Sequence, residues 1–261
     1  MKEKHLYICE NSTTGIFTGI YDAWASRYGH ENNRILVEEP ENYEFFTKMI
    51  YVEPDWEKAE KVKRSIRQKI SNDAYITVYH ASISQDKEKA DVIYRFLILG
   101  FAMGKGVMEY LSNPYVSHLY KMELNTKNEL FHYEGFLRFV KMGNQILFGR
   151  FRPKNDIIFF IADHFADRLP GENWLIYDEG RKKAAVHKAY GRWFVLEKYE
   201  INLEKDMNQL EEEDEFLNLW KHFVDSIAIR ERTNEKLQLN MMPNRFREFM
   251  PEVEYKEKNK K

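Results

Sequence analysis

Residues 135–152, GFLRFVKMGNQILFGRFR, decide the fold class of this chain. On either side of Met142-Gly143-Asn144, over 135–141 (GFLRFVK) and 145–152 (QILFGRFR), apolar and polar side chains alternate at period two. That is the pattern of two half-buried strands joined by a tight turn, so a β-hairpin is expected here. The texture of the chain differs on its two sides.

Upstream the reading is mostly helical. A short strand at 5–10 is followed by Ser12 or Thr13 as the cap of a helix whose Phe17, Ile20, Trp24 and Tyr28 recur at spacings of three and four. A second strand at 34–37 leads into an irregular connection bracketed by Pro40 and Pro54, then a charged helix at 56–70 carrying Val62, Ile66 and Ile70. Asn72-Asp73 breaks and recaps the chain, and two more helices follow up to residue 108. The second of these, 90–103, is apolar enough for a central place in a core. Asn113-Pro114 opens a further helix with Val116, Tyr120, Leu124 and Phe131 on one side.

Downstream of the hairpin a helix is expected at 156–168, then strands at 174–177, 184–188 and 192–197. The sum is an α+β fold: a mostly helical N-terminal half, an antiparallel sheet of about five strands with an inserted helix, and a C-terminal helix docking back. That last helix carries Phe216, Trp220, Phe223 and Ile227, after an acidic run at 211–215. In domain terms, 1–80 reads as an N-terminal α/β part, 81–253 as a core domain packed with it into one compact unit, and 254–261 as a disordered lysine-rich tail.

Composition narrows the function classes. With 261 residues, 43% hydrophobic and 15% aromatic, the chain can bury a core, which excludes disorder as a whole. A net charge of -2 excludes a global field toward nucleic acid or anionic membrane, so any electrostatic surface must be local. The apolar run near the start, 6–9, is too short for a signal-peptide core, and no segment reaches the roughly 18 apolar residues of a span. A cytoplasmic protein with no membrane partner is expected. Cys9 is the single cysteine, so it forms no internal disulfide and holds no zinc or iron–sulfur cluster by itself; on a strand it reads as a small buried hydrophobe. No cofactor is expected.

The local surface lies in the sheet segment. Residues 135–196 hold eleven lysines and arginines against six carboxylates, a charge of +5. Arg138 and Arg150 are interleaved with Phe136, Phe139, Phe148 and Phe151, and Arg152, Lys154, Lys182 and Lys183 lie in the same segment. Cations for phosphates beside flat rings for bases are what a single-stranded nucleic acid needs. Alternation equally allows the rings to face the core while the arginines solubilise the other side. Near the C-terminus Arg230, Arg232, Arg245 and Arg247 form a second basic group, fit either for a phosphate backbone or for pairing with the acidic run.

For chemistry, His164, Asp167 and Arg168 fall at i, i+3 and i+4 on a helix end that Pro170-Gly171 stops. An aspartate fixing an imidazole tautomer beside an arginine suits acid/base work on a nucleic-acid base or phosphodiester; a simple helix-end hydrogen bond is the plainer reading. The segment 100–106, GFAMGKG, looks like a phosphate loop but is one residue short before Gly-Lys and lacks the following Ser or Thr, so it reads as a turn between helices. The histidines 80, 118, 132, 164, 187 and 222 show no metal-binding spacing, and no metal is expected.

Four segments in order, HFADRLP (164–170), ENWLIYDE (172–179), AIRERTN (228–234) and MPNRFREF (242–249), together with Tyr21-Asp22-Ala23-Trp24, carry a resemblance. The chain resembles the bacterial DNA repair or DNA metabolism family that contains the domain of unknown function 4130. The resemblance implies a gene beside that of a radical SAM DNA repair or modification protein, and a similar domain fused to uracil-DNA glycosylase-like proteins. It carries over no catalytic residues. The lack of further cysteines agrees with the partner holding the cluster. The expectation is an accessory protein that binds single-stranded or damaged DNA, the radical SAM partner, or both. An enzyme with His164 as acid/base, and an interaction module without DNA affinity, are the alternatives.

Overall fold

The computed structural model describes residues 3–42, 45–142, 146–198, 219 and 235–250. Two compact units are present: Met1–Asn128 with Lys154–Asp156, and Glu129–Pro153 with the described residues from Ile157 onward.

The first unit begins with β1 (Lys4–Cys9), in which His5, Tyr7 and Cys9 alternate into the interior. Helix α1 (Thr13–Ala25) starts where the extended Ser12 accepts a hydrogen bond from the Gly15 amide at 3.0 Å. It carries the chain back to β2 (Asn33–Leu36), parallel to β1. A third parallel strand, β3 (Thr47–Val52), lies on the other side, giving the order β2-β1-β3. This strand occupies the connection expected to be irregular. Pro40 and Pro54 flank TKMIYV instead of interrupting it, so its ladder amides are all present.

Helices α2 (Trp56–Lys69), α3 (Asn72–Ser82), α4 (Lys89–Met103) and α5 (Pro114–Phe136) follow. The Asp55 carboxylate accepts from the amides of Glu57 and Lys58, and the Ser71 hydroxyl from that of Ala74, so the cap of α3 precedes the Asn72-Asp73 pair. Helix α4 is the central one: Ala90, Ile93, Tyr94, Phe96 and Leu97 are all 0% exposed, among Ile16, Ile66 and Val78 of the other helices.

Cys9 ends β1 with its sulfur against Gly19 of α1, where any added Cβ would collide with it. Burial pushes its thiol up to about 12, with the nearby Asp22 carboxylate adding to the effect. At pH 8 only about one thiol in ten thousand would be ionised. Iodoacetamide should therefore leave the native chain unlabelled over a time that fully labels the urea-unfolded one. Equal rates in the two states would contradict this burial.

The second unit takes the last residues of α5 and then β4 (Phe139–Met142), β5 (Ile146–Phe151), α6 (Ile158–Arg168), β6 (Asn173–Asp178), β7 (Lys183–His187) and β8 (Trp193–Leu196). The α+β class holds, with a five-stranded sheet of order β4-β5-β6-β7-β8. The sheet is mixed, not antiparallel throughout: β5 and β6 run parallel, from Ile146 opposite Asn173 to Phe151 opposite Asp178. The inserted helix is the cause, because α6 crosses the sheet and returns the chain to the end from which β5 started. The first hairpin strand is also shorter than its alternation suggested. Tyr133 and Leu137, both buried and four residues apart, keep α5 helical to Phe136.

The pleat separates the phenylalanines. Phe139 meets Phe165 of α6 edge-on at 4.9 Å, and Phe151 meets Tyr133 of α5 at 5.1 Å, on one face. Phe148 lies on the other, in a cluster with Tyr177, Ala184, Met142 and Leu175. Two short helices, α7 (Glu235–Met241) and α8 (Asn244–Arg247), complete the described chain; Phe246 of α8 is buried against His132, Tyr133 and Phe136. The expected helix with Phe216 and Trp220, and the tail 254–261, lie outside the described residues. Among the described residues no helix is long and apolar enough to cross a membrane.

Candidate nucleic-acid interface

His164 lies on the last turns of α6, bordering the buried stripe of Ile161 and Phe165. The carboxylate beside it is not Asp167. Glu134 of α5 places Oε1 3.9 Å from the imidazole Nδ1, while Nε2 is buried without a partner among the described residues. Asp167 and Arg168 are exposed, and neither is hydrogen-bonded or ion-paired to His164. The three residues expected to act together are thus not joined.

Most of the candidate phosphate-binding cations already have intramolecular partners. Arg150 lies on the Phe148 face of β5, two residues on, and Arg152 follows directly after the end of the strand. Glu179 sits between them, 3.7 Å from the Arg150 guanidinium and 2.8 Å from that of Arg152. Glu248 takes the other side of Arg152 at 3.0 Å, and the Phe249 ring lies under both, 4.9 and 5.8 Å from the two guanidinium carbons. The hydrogen bond that Arg152 donates to Glu179 and the charge of Glu248 hold the Arg152 proton more firmly than usual.

The remaining candidates are dispersed. Arg138 donates to the carbonyls of Gly135 and Leu137, Lys183 pairs with Glu197 at 3.3 Å, and Arg245 reaches the buried Glu129 at 3.4 Å. Arg247 donates from Nε to the Met242 carbonyl. Lys154 belongs to the first unit. Lys182 is exposed, its ammonium 5.9 Å from the Tyr177 ring centre. Arg230 and Arg232 lie outside the described residues.

A different group of cations is left open to solvent. The turn between β7 and β8 holds Lys188, Tyr190 and Arg192, and Tyr190 is 88% exposed. This turn is fastened to the one between α6 and β6. The Tyr190 amide donates to the Pro170 carbonyl at 2.7 Å, and the Ala189 amide to the Asn173 side chain at 3.0 Å. His187 Nδ1 meets the Glu172 carbonyl at 2.9 Å, while its ring stacks on Trp174. Tyr190 itself has φ +57°, a backbone state that side chains rarely adopt, and these bonds hold it there. Lys188, Arg192 and Arg168 have no ion pair among the described residues. Asp167 and Glu172 share this end, and the Asp163 carboxylate accepts from the indole of Trp193, next to Arg192, at 3.0 Å, so three carboxylates stand near the three cations without pairing with them among the described residues.

An exposed phenol ring flanked in sequence by two cations without an ion pair among the described residues can stack a base while the cations meet its phosphates. Lys188 and Arg192 counted toward the segment's charge, but Tyr190 carried its own signal. An aromatic in the middle of Ala-Tyr-Gly, where turns favour Gly, Asn or Asp, has no core to enter.

A family model described as a domain of unknown function, DUF4130, matches residues 87–252. The chain belongs to the DUF4130 family. The DUF4130 match takes in α4, α5 and every described element of the second unit, and with them the Arg150–Glu179 group and the Tyr190 turn. Tyr21-Asp22-Ala23-Trp24 lies outside it. No curated protein matches the chain. Within the DUF4130 segment ENWLIYDE, Trp174 and Asp178 are both 0% exposed, so these two residues serve the packing of the sheet. Among the described residues no three His, Cys, Asp or Glu side chains gather as a metal site requires.

Proposed function

We propose that this DUF4130 protein is a DNA-associated accessory protein, which holds single-stranded or damaged DNA at the Tyr190 turn. The observation that carries the reading is an 88% exposed Tyr190, flanked in sequence by two cations that have no carboxylate partner among the described residues. The resemblance of the motifs supplies the DNA repair setting, and with it a radical SAM protein as the partner that would perform the chemistry. The reading as an acid/base enzyme draws on His164 and Glu134 alone, since Asp167 and Arg168 face solvent.

The test is fluorescence anisotropy of the full chain with a labelled single-stranded oligonucleotide over a salt series. Affinity should fall log-linearly with salt, and the double change Lys188→Gln/Arg192→Gln should reduce the slope by about one to two. Tyr190→Ala should weaken binding by about 1–3 kcal/mol through lost stacking. Arg150→Gln should leave the slope unchanged, because Glu179 already neutralises that charge. Flat curves for single- and double-stranded DNA at low salt, with and without the radical SAM protein, would overturn the proposal.

A further inference from the structure

The first unit contains a cleft whose chemistry is independent of the Tyr190 turn. Helices α1, α2 and α4 enclose about 310 Å³ between them. The walls are apolar and largely aromatic, with Tyr21 and Trp24 from α1, Phe101 from α4, and Ile20 and Val62 between them. Trp24 meets Phe101 edge-on at 5.2 Å and packs against His30 and Tyr94 at 4.4 and 6.0 Å, so its ring is fixed by several neighbours without any ligand. The walls are formed in advance.

Lys61, Ser65 and Lys69 also line the cleft, at successive spacings of four along one face of α2. None of the lining residues is acidic. Asp22, next to Tyr21 on α1, is held by Lys58 at 2.8 Å. Lys61 and Lys69 have no ion pair among the described residues; their ammonium groups lie 5.6 and 5.5 Å from the ring centres of Tyr21 and Phe101. Flat apolar walls select a flat ring, and two ammonium groups without carboxylates select an anion attached to it.

We propose that this cleft binds a mononucleotide, its base against the aromatic walls and its phosphate at Lys61 and Lys69. Size is in keeping with that class. Ligand pockets span about 300–1,000 Å³, so this open-sided one lies at the small end, with room for one base, sugar and phosphate. Of the wall and lysine residues named here only Phe101 falls inside the segment matched by the DUF4130 model, so the cleft needs the N-terminal helices as well.

The experiment is isothermal titration, backed by saturation-transfer NMR, of the full chain with AMP, adenosine and ribose 5-phosphate. AMP should bind with a dissociation constant of roughly 10 μM to 1 mM, and the two fragments at least about tenfold more weakly, because each lacks half of what the cleft recognises. Lys61→Gln/Lys69→Gln changes two exposed side chains and leaves the fold intact by circular dichroism; it should bring AMP down to the affinity of adenosine. Phe101→Leu should weaken AMP and adenosine alike. Tyr190→Ala should leave AMP binding unchanged, which separates this site from the DNA surface. The proposal falls if AMP, GMP, CMP and UMP all fail to bind at about 5 mM. It falls equally if adenosine binds as tightly as AMP, or if the double lysine change has no effect.

Discussion

Replacing Trp174 with alanine should destabilise the second unit by about 3–5 kcal/mol. The side chain is 0% exposed on β6, the middle strand of the sheet, with Leu147 and His187 opposite it on β5 and β7. It stacks on the His187 ring at 4.8 Å and 14°, so truncation opens a cavity and also strips a buried imidazole of its neighbour. Its indole N–H has no partner among the described residues, so Trp174→Phe loses volume without breaking a hydrogen bond. That change should cost only about 1–2 kcal/mol. Urea unfolding followed by far-UV circular dichroism measures both. A loss below about 1 kcal/mol for the alanine variant would show that the ring is not part of the core.

Asp178→Ala is the second large effect, expected at about 2–4 kcal/mol. The carboxylate is 0% exposed, and one oxygen accepts from the amides of Gly180 and Arg181 at 2.9 and 3.1 Å. The other oxygen meets the Arg181 guanidinium at 3.1 Å, which also donates to the Pro153 carbonyl. Alanine orphans two turn amides and leaves a partly buried cation with less to neutralise it. Asparagine keeps one acceptor for the amides but turns an NH₂ or a neutral oxygen toward Arg181, so it should recover about half of the loss. Hydrogen exchange at the Gly180 and Arg181 amides provides the local readout. Unchanged protection in Asp178→Ala would mean that the turn does not depend on this carboxylate.

Both residues belong to ENWLIYDE, and they show why the motif is easier to find than to interpret. A sequence displays which side chains recur, whereas burial decides what they do. The parts of the fold that depend on neighbours in sequence were legible: the Ser12 cap, the 90–103 core helix, and the alternation of the sheet strands. The direction of β6 was less so, because period two is the same in parallel and antiparallel strands. The clue was the helix at 156–168 between two strands, a strand–helix–strand unit that calls for parallel neighbours. Strand β3 lies in the stretch between Pro40 and Pro54, and it was those two prolines that pointed to an irregular connection.

The candidate site divides in the same way. Arg150 and Arg152 stood out by composition, but Glu179 and Glu248, which neutralise them, lie about thirty and a hundred residues further on and were not among the candidates. The partner of His164 comes from α5, where no spacing within HFADRLP could point. Spacing finds partners on one helix. Partners contributed by other elements become visible only when the chain has folded.

The single parallel pair in the second sheet also bears on how that sheet can be assembled. β4 pairs antiparallel with β5, and β7 with both β6 and β8, so these contacts form between residues near in sequence. The seam between β5 and β6 must instead wait until α6, which lies in the connection between them, has been laid over the sheet. Loop-closure entropy in this sheet is therefore concentrated at one joint. Two quickly made pieces meet along a line that only the docking of one helix can draw together.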